Sequence, residues 1–191
     1  DSSGTASTVG EISIAGATTL NVTGDAKATF TASTVTALKT VTVTNTAGFQ
    51  MDNISATTTF TGGAGADGVT LANATETTIA MGAGDDVVVY GGATSTTVGK
   101  VGAVSGGDGK DTITMTSVQA AAADGTAAFN TAFTSFEVVK ISNELANATT
   151  IDVNGLNTVS EVVLAAGGNN ATGSVIDKIA SGGTVETQAS G

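Results

Sequence analysis

The chain has 191 residues, including 36 Thr and 26 Gly, has no Pro, Cys, His, Trp or Arg, and carries a formal net charge of -11. Without His or Cys it has no thiolate nucleophile, no Ser-His triad and no zinc site with nitrogen or sulfur ligands. Its 17 acidic residues against 6 lysines would repel nucleic acid and anionic membranes, and no apolar run approaches the roughly 20 residues of a membrane span. We therefore expect no nucleic-acid partner and no membrane insertion. The excess of acidic residues indicates a hard cation as the binding partner.

Short strands recur along the chain at a nearly fixed interval. One series of strands begins, at steps of 21, 19, 19 and 25 residues, with Leu20, Val41, Phe60, Ile79 and Val104. A second series falls between them, anchored at Phe30, Phe49, Val69, residues 87–89 and Ile113. Apolar residues at i and i+2 alternate with Thr, Asn or Ser, as in a strand with one buried face. The sequence therefore predicts an all-β, right-handed parallel β-helix, a solenoid with two strands in each coil of about 20 residues.

The same alternation returns after residue 136, at 139–141, 151–153 and 162–164, which predicts a single solenoid segment over residues 1–191. Residues 117–135 do not follow this regular spacing of strands. Their alanine content predicts one short helix or an ordered loop inserted between coils. An antiparallel β-sandwich is the alternative fold, but a sandwich gives no reason for a fixed interval.

Three glycine-rich segments resemble the nonapeptide G-G-x-G-x-D-x-U-x. Residues 62–70 and 106–114 match it, and residues 81–89 depart only by Met81 in the first glycine position. Glycines at positions one, two and four allow a sharp turn that aims carbonyl oxygens at one spot, and the aspartate adds a carboxylate. Residues 62–114 are therefore predicted to contain calcium-binding loops of the β-roll type.

Calcium in such a roll would lie between the loops of successive coils, with oxygen ligands from both. One ion is predicted between the loops of Asp67 and Asp86, and a second between those of Asp86 and Asp111. The predicted carbonyl donors are Gly62, Gly63, Ala64 and Gly65, then Met81, Gly82, Ala83 and Gly84, then Gly106, Gly107, Asp108 and Gly109. Asp85 and Asp108 are candidates for extra ligands or water holders. The alternative is that these segments are ordinary Gly-Asp turns without metal.

The chain also resembles the RTX-type surface-layer (S-layer) proteins of Gram-negative bacteria. The resemblance covers about residues 15–142 and is carried by residues 18–26, 41–45, 60–67, 80–86 and 106–109, with Phe136 and Glu137 beyond. It implies a structural protein exported by type I secretion, which folds on external calcium and tiles the cell surface as a two-dimensional lattice of its own copies. A cell-surface polysaccharide would be bound through parts of the protein outside this chain.

Three functional hypotheses remain open at this stage. The first is a non-enzymatic S-layer segment, an interior or C-terminal fragment, since the chain starts at Asp1 without an initiator Met or a signal-peptide pattern. The second is the calcium β-roll of a secreted adhesin, toxin or hydrolase whose active domain lies elsewhere. A solenoid polysaccharide lyase is the third, and it is disfavoured because the chain has no Arg and few Lys for a basic cleft.

Overall fold

The strands of the computed structural model pair in parallel, each with the strand one coil further along the chain. The structure describes residues 7–9, 16–30, 35, 37–71, 77–91, 102–166 and 172–188. Within these ranges, nine strands form one sheet, in the order β1 (Ser7–Val9), β3 (Ala28–Phe30), β5 (Phe49–Ile54), β7 (Gly68–Leu71), β9 (Val87–Val89), β11 (Thr112–Met115), β13 (Val138–Ile141), β15 (Glu161–Leu164) and β17 (Thr184–Thr187).

Six strands form the second sheet, β2 (Thr19–Val22), β4 (Thr40–Val43), β6 (Thr59–Thr61), β8 (Thr78–Ala83), β10 (Ala103–Asp108) and β12 (Phe133–Thr134). A third sheet has two strands, β14 (Thr150–Asp152) and β16 (Val175–Asp177), and a 3₁₀ helix covers Val153–Gly155. Odd and even strands alternate between the two large sheets as the chain advances. The fold is therefore a parallel β-solenoid, as predicted, and the antiparallel sandwich is excluded.

The pairing registers confirm the predicted coil interval. In the six-stranded sheet the residues in register are, in successive coils, Leu20, Val41, Phe60, Ile79 and Val104. These are the five anchors of the first predicted series. The alternating pattern of apolar and polar residues was sufficient to place them, because a slip by one residue would turn every buried side chain outward.

One hydrophobic core runs through the stack, from Val22 to Leu164. Phe49, Phe60 and Ile79 have no exposed surface, and the polar residues of the same strands lie on the outer faces. Fully burying side chains of this size stabilises a fold by roughly 1.5–3 kcal/mol each. The core also fixes the corners of each coil, because the strands on either side of a corner are held by buried anchors.

The interruption at 117–135 contains two short helices, α1 (Ser117–Ala123) and α2 (Ala127–Ala132), where one helix or a loop was predicted. Thr116 and Gln119 form a capping box at the start of α1. Phe129 of α2 is buried in the solenoid core, so the insertion packs on the coils. In the described part of the chain no helix has the length and apolar character needed to cross a membrane.

Candidate metal site

The three Gly-Asp segments stack on one another at one corner of the solenoid. We name them loop one (62–67), loop two (81–86) and loop three (106–111), and each leads from the six-stranded into the nine-stranded sheet. Gly82 is in register with Gly107, and Gly84 N–H donates to the Asp108 carbonyl at 2.8 Å. The sequence prediction that these loops are neighbours in space is therefore confirmed.

Glycine is required in these loops by the close stacking of their backbones. Gly82 and Gly107 have φ values of 106° and 111°, a region that residues with a side chain rarely adopt. A Cβ at Gly107 would lie within 3.0 Å of the Gly82 carbonyl, and one at Gly109 would meet the Gly84 carbonyl in the same way. The glycines therefore have a structural role of their own, whether or not an ion is bound.

The three loop aspartates point inward and link successive coils. The exposed fractions of Asp67, Asp86 and Asp111 are 2%, 0% and 0%. Asp67 N–H donates to Asp86 Oδ1 at 2.7 Å, and Asp86 N–H donates to Asp111 Oδ1 at 2.9 Å. Each carboxylate thus accepts a hydrogen bond from the backbone of the equivalent residue one coil earlier.

This carboxylate ladder extends one coil beyond the predicted loops at each end. Phe49 N–H donates to Asp67 Oδ1 at 2.7 Å, and Asp111 N–H donates to Glu137 Oε2 at 2.9 Å. Glu137 was not predicted as a site residue, because it follows no glycine-rich motif. The position of Glu137 follows from the register of the next strand, because Val138 pairs with Thr112 and so places Glu137 beside Asp111. From here the carboxylate ladder means Asp67, Asp86, Asp111 and Glu137.

Loop one differs from loops two and three in the hydrogen bonding of the second carboxylate oxygen, Oδ2. Asp67 Oδ2 accepts a hydrogen bond from Gly63 N–H at 2.9 Å, so both oxygens of Asp67 have backbone donors. Asp86 Oδ2 and Asp111 Oδ2 are buried and have no hydrogen-bond partner among the residues that the structure describes. A buried carboxylate oxygen that lacks a donor is strongly unfavourable, so each of these two carboxyls needs a proton or a cation.

Burial shifts the pKa values of the three ladder aspartates. It is the main reason that the pKa of Asp86 is raised to about 7, and the negative charges of Asp111 and Asp67 add to the rise. Burial also raises the pKa of Asp67 and that of Asp111. A raised carboxyl pKa means that the folded protein without a cation holds protons that the unfolded chain would release.

We expect the metal-free protein to lose stability as the pH rises from about 4 to about 7. The unfolded Asp86 carboxyl releases its proton near its ordinary pKa of 3.8, whereas the folded one keeps it up to about 7. Between these values the folded state binds more protons, so the free energy of unfolding falls by at most about 1.4 kcal/mol per pH unit for that carboxyl. Urea unfolding in calcium-free buffers at pH 4.5, 6 and 7.5 measures the slope. Asp86→Asn should flatten it, and equal slopes in both proteins would contradict the assignment to Asp86.

The remaining predicted ligands surround the ladder. Asp85, Asp108 and Ala64 are exposed at the surface of the loops, and Asp85 Oδ1 accepts a hydrogen bond from Lys110 N–H at 2.9 Å. Met81 has no exposed surface and belongs to the hydrophobic core. Its side chain therefore fills the position where loops one and three have glycine, and only its carbonyl remains as a candidate donor.

The potential metal ligands at this corner are oxygen atoms, from carboxylates and backbone carbonyls. Within the described ranges no group of three or more acidic side chains comes together as a metal-binding cluster, so a cation here would depend on backbone carbonyls and water beside one or two carboxylates. Neither a scan against protein-family models nor a search of curated proteins gave a match for this chain. The interpretation of the metal site therefore rests on the residues and their geometry.

Proposed function

We propose that this chain is a calcium-stabilised structural β-solenoid and a component of a bacterial surface layer. The observation that carries the calcium proposal is a pair of wholly buried oxygens, Asp86 Oδ2 and Asp111 Oδ2, for which the described part of the chain provides no hydrogen-bond donor. Calcium takes 6–8 oxygen ligands, both carboxylate and carbonyl, with flexible geometry. Bound at this corner, it would neutralise the buried charge and tie successive coils together, and it would supply no reaction.

The residues best suited to hold calcium are Asp86 and Asp111, together with carbonyls of loops two and three. Loop one differs, because the backbone already satisfies both oxygens of Asp67. An ion between loops one and two stays a prediction that depends on carbonyl ligands and on a shift of the Gly63 hydrogen bond. Asp85 and Asp108 are exposed and suited to holding water at the rim of the site.

The hydrogen bonds of the ladder hold the carboxylates in fixed orientations even in the absence of a cation. Hydrogen bonds to Oδ1 from the preceding coil fix the orientation of Asp86 and Asp111, so little side-chain entropy remains to be lost on binding. For a dissociation constant near 0.1 mM, millimolar external calcium would add roughly 1.4 kcal/mol of stability at each site. Submicromolar calcium inside a cell would add almost nothing to the stability. The protein would therefore become more stable only after secretion.

The surface-layer part of the proposal rests on the resemblance to RTX-type S-layer proteins. It implies type I secretion, a location at the outside of the cell, a lattice of copies of the chain, and polysaccharide attachment through other parts of the protein. The long outer faces of a solenoid, rich in Thr and poor in charge, are compatible with close lateral packing. The second candidate is the β-roll of a secreted adhesin, toxin or hydrolase, and the same buried oxygens favour it equally.

Calcium binding is tested by titration calorimetry on chelator-treated protein at pH 7.5. We expect binding in the micromolar to millimolar range and a higher melting temperature at 5 mM calcium. Asp86→Asn should weaken binding at least tenfold, because it removes the charge from a buried, unpaired oxygen. Asp177→Asn removes one exposed charge and serves as the matched control, with wild-type binding expected. An unchanged melting temperature together with no heat of binding would contradict the calcium proposal.

The surface-layer role is tested separately by imaging the chain and its parent protein with and without calcium. Two-dimensional sheets that form only with calcium would support a lattice component. Persistent monomers that nevertheless bind calcium would favour the β-roll of a secreted protein instead. The two outcomes leave the calcium result unaffected, so each part of the proposal is tested independently.

A further inference from the structure

The buried oxygen of Asp111, Oδ2, lies near the coil that follows loop three. Its other oxygen, Oδ1, accepts the hydrogen bond from the preceding coil, at Asp86 N–H. A Cβ built on Gly106 would lie within 3.0 Å of both Asp111 Oδ2 and the Ser135 carbonyl of the next coil. The Ser135 carbonyl oxygen and Asp111 Oδ2 therefore lie on the same side of Gly106, with no side chain between them.

The next coil crosses this corner by a shorter route. Ser105 is in register with Thr134, and Thr112 with Val138, so the six residues of loop three face only Ser135, Phe136 and Glu137. Ser135 has a φ of 56°, in the left-handed region that favours glycine. Phe136 is buried in the core and Glu137 is half-buried. This three-residue segment thus brings one carbonyl and one carboxylate to loop three without a glycine motif.

The charges at this junction lack a compensating cation in the described structure. Glu137 lies beside Asp111, because Glu137 Oε2 accepts a hydrogen bond from Asp111 N–H at 2.9 Å, so two negative charges adjoin at this junction. The two ion pairs of the described residues, Lys110 with Glu161 and Lys178 with Asp152, do not include either carboxylate. Lys110 is adjacent to Asp111 in sequence, but its ammonium group contacts Glu161 at 2.7 Å; Lys140, three residues after Glu137, belongs to neither ion pair.

We propose that a divalent cation binds at the junction of loop three with residues 135–137, held by Asp111 Oδ2, the Ser135 carbonyl and the Glu137 carboxylate. This inference rests on the proposed calcium binding and adds a site outside the glycine-rich motifs. It also changes which junctions are occupied: the unpaired oxygens belong to the second and third loops, so the row of ions is displaced by one coil toward the C-terminus. Loop one has no unpaired carboxylate oxygen, so this inference requires no ion between loops one and two.

Glu137→Gln tests the site while preserving the ladder. The amide oxygen of Gln can still accept the hydrogen bond from Asp111 N–H, so folding is expected to persist, but the cation loses a charged ligand. Calorimetric titration should show one site fewer than wild type, or one site weakened at least tenfold. Glu137→Asp keeps the charge and withdraws it by one methylene, and should give an intermediate affinity. Glu186→Gln, an exposed change of the same chemistry, is the control and should bind as wild type.

The outcomes separate this inference from the proposed function. Wild-type stoichiometry and affinity in Glu137→Gln, with calcium still bound, would overturn the junction site and leave the calcium solenoid standing. No calcium binding by the wild-type chain would overturn both. Circular dichroism of each variant with and without calcium checks the fold. If Glu137→Gln fails to fold, Glu137→Asp decides, because unchanged affinity in that variant would also contradict a direct ligand at this position.

Discussion

Replacing Gly107 with alanine is expected to destabilise the protein by about 3 kcal/mol or more. Two effects combine: the φ of 111° is unfavourable for a residue with a Cβ, and that Cβ would lie within 3.0 Å of the Gly82 carbonyl of the neighbouring coil. The neighbour is backbone held in a parallel sheet, so it cannot move aside as a flexible side chain would. Overpacking of this kind typically costs about 1–3 kcal/mol, and the strained φ adds roughly 1–2 kcal/mol.

Gly16→Ala provides the matched control for that experiment. Gly16 has a similar φ of 99°, but no atom of the described residues lies within 4 Å of its Cβ position. The difference between the two variants therefore isolates the close contact between coils. Urea unfolding at a fixed calcium concentration measures both, and we expect Gly16→Ala to lose only about 1–2 kcal/mol. Equal losses in the two variants would show that the backbones of loops two and three do not stack as closely as described.

Phe60→Ala is expected to destabilise the protein by about 3–5 kcal/mol. Phe60 has no exposed surface and stacks on Phe49, with ring centroids 6.4 Å apart and an interplanar angle of 13°. Removing the ring leaves a cavity between the two sheets that the rigid strands on either side cannot close. The site lies just before loop one, so the variant also tests whether the core holds the corner in place.

Phe30→Ala is the control for the core substitution. Phe30 packs edge-on against Phe49 with centroids 5.1 Å apart but remains partly exposed, so its truncation should cost clearly less than that of Phe60. Urea or thermal unfolding ranks the two variants. A larger loss for Phe30→Ala would mean that the apolar centre of the coil lies nearer β3 than the structure places it.

The coil interval and most strands were predictable from the sequence because their signal is local. The alternation of apolar and polar residues around Val41 and Phe60 indicates a strand with one buried face. The recurrence of this pattern at a fixed interval indicates that the coils stack on one another. The end of α1 was less predictable. Alanines continue up to Asp124, and Gly125 then breaks the run with a φ of 65°, which divides one predicted helix into two.

The candidate site was predictable in its position but not in its detail. The motif places Asp67, Asp86 and Asp111 at one corner, which the registers confirm. It does not reveal which carboxylate oxygens the backbone satisfies, because that depends on the direction of single N–H groups such as that of Gly63. Glu137 joins the ladder through the register of its coil, a long-range property that no local pattern encodes.

The stacking of each strand on the next coil has a consequence for how the chain folds. Paired residues are separated by 19 positions between Phe60 and Ile79 and by 29 between Val104 and Phe133. Divided by the 191 residues of the chain, these separations are about 0.10 and 0.15, which lies below the range of relative contact order that is usual for all-β proteins. Such a chain can nucleate on a few adjacent coils and grow one coil at a time from a formed edge. The longest loop closure, across α1 and α2, is then the step at which growth is expected to slow.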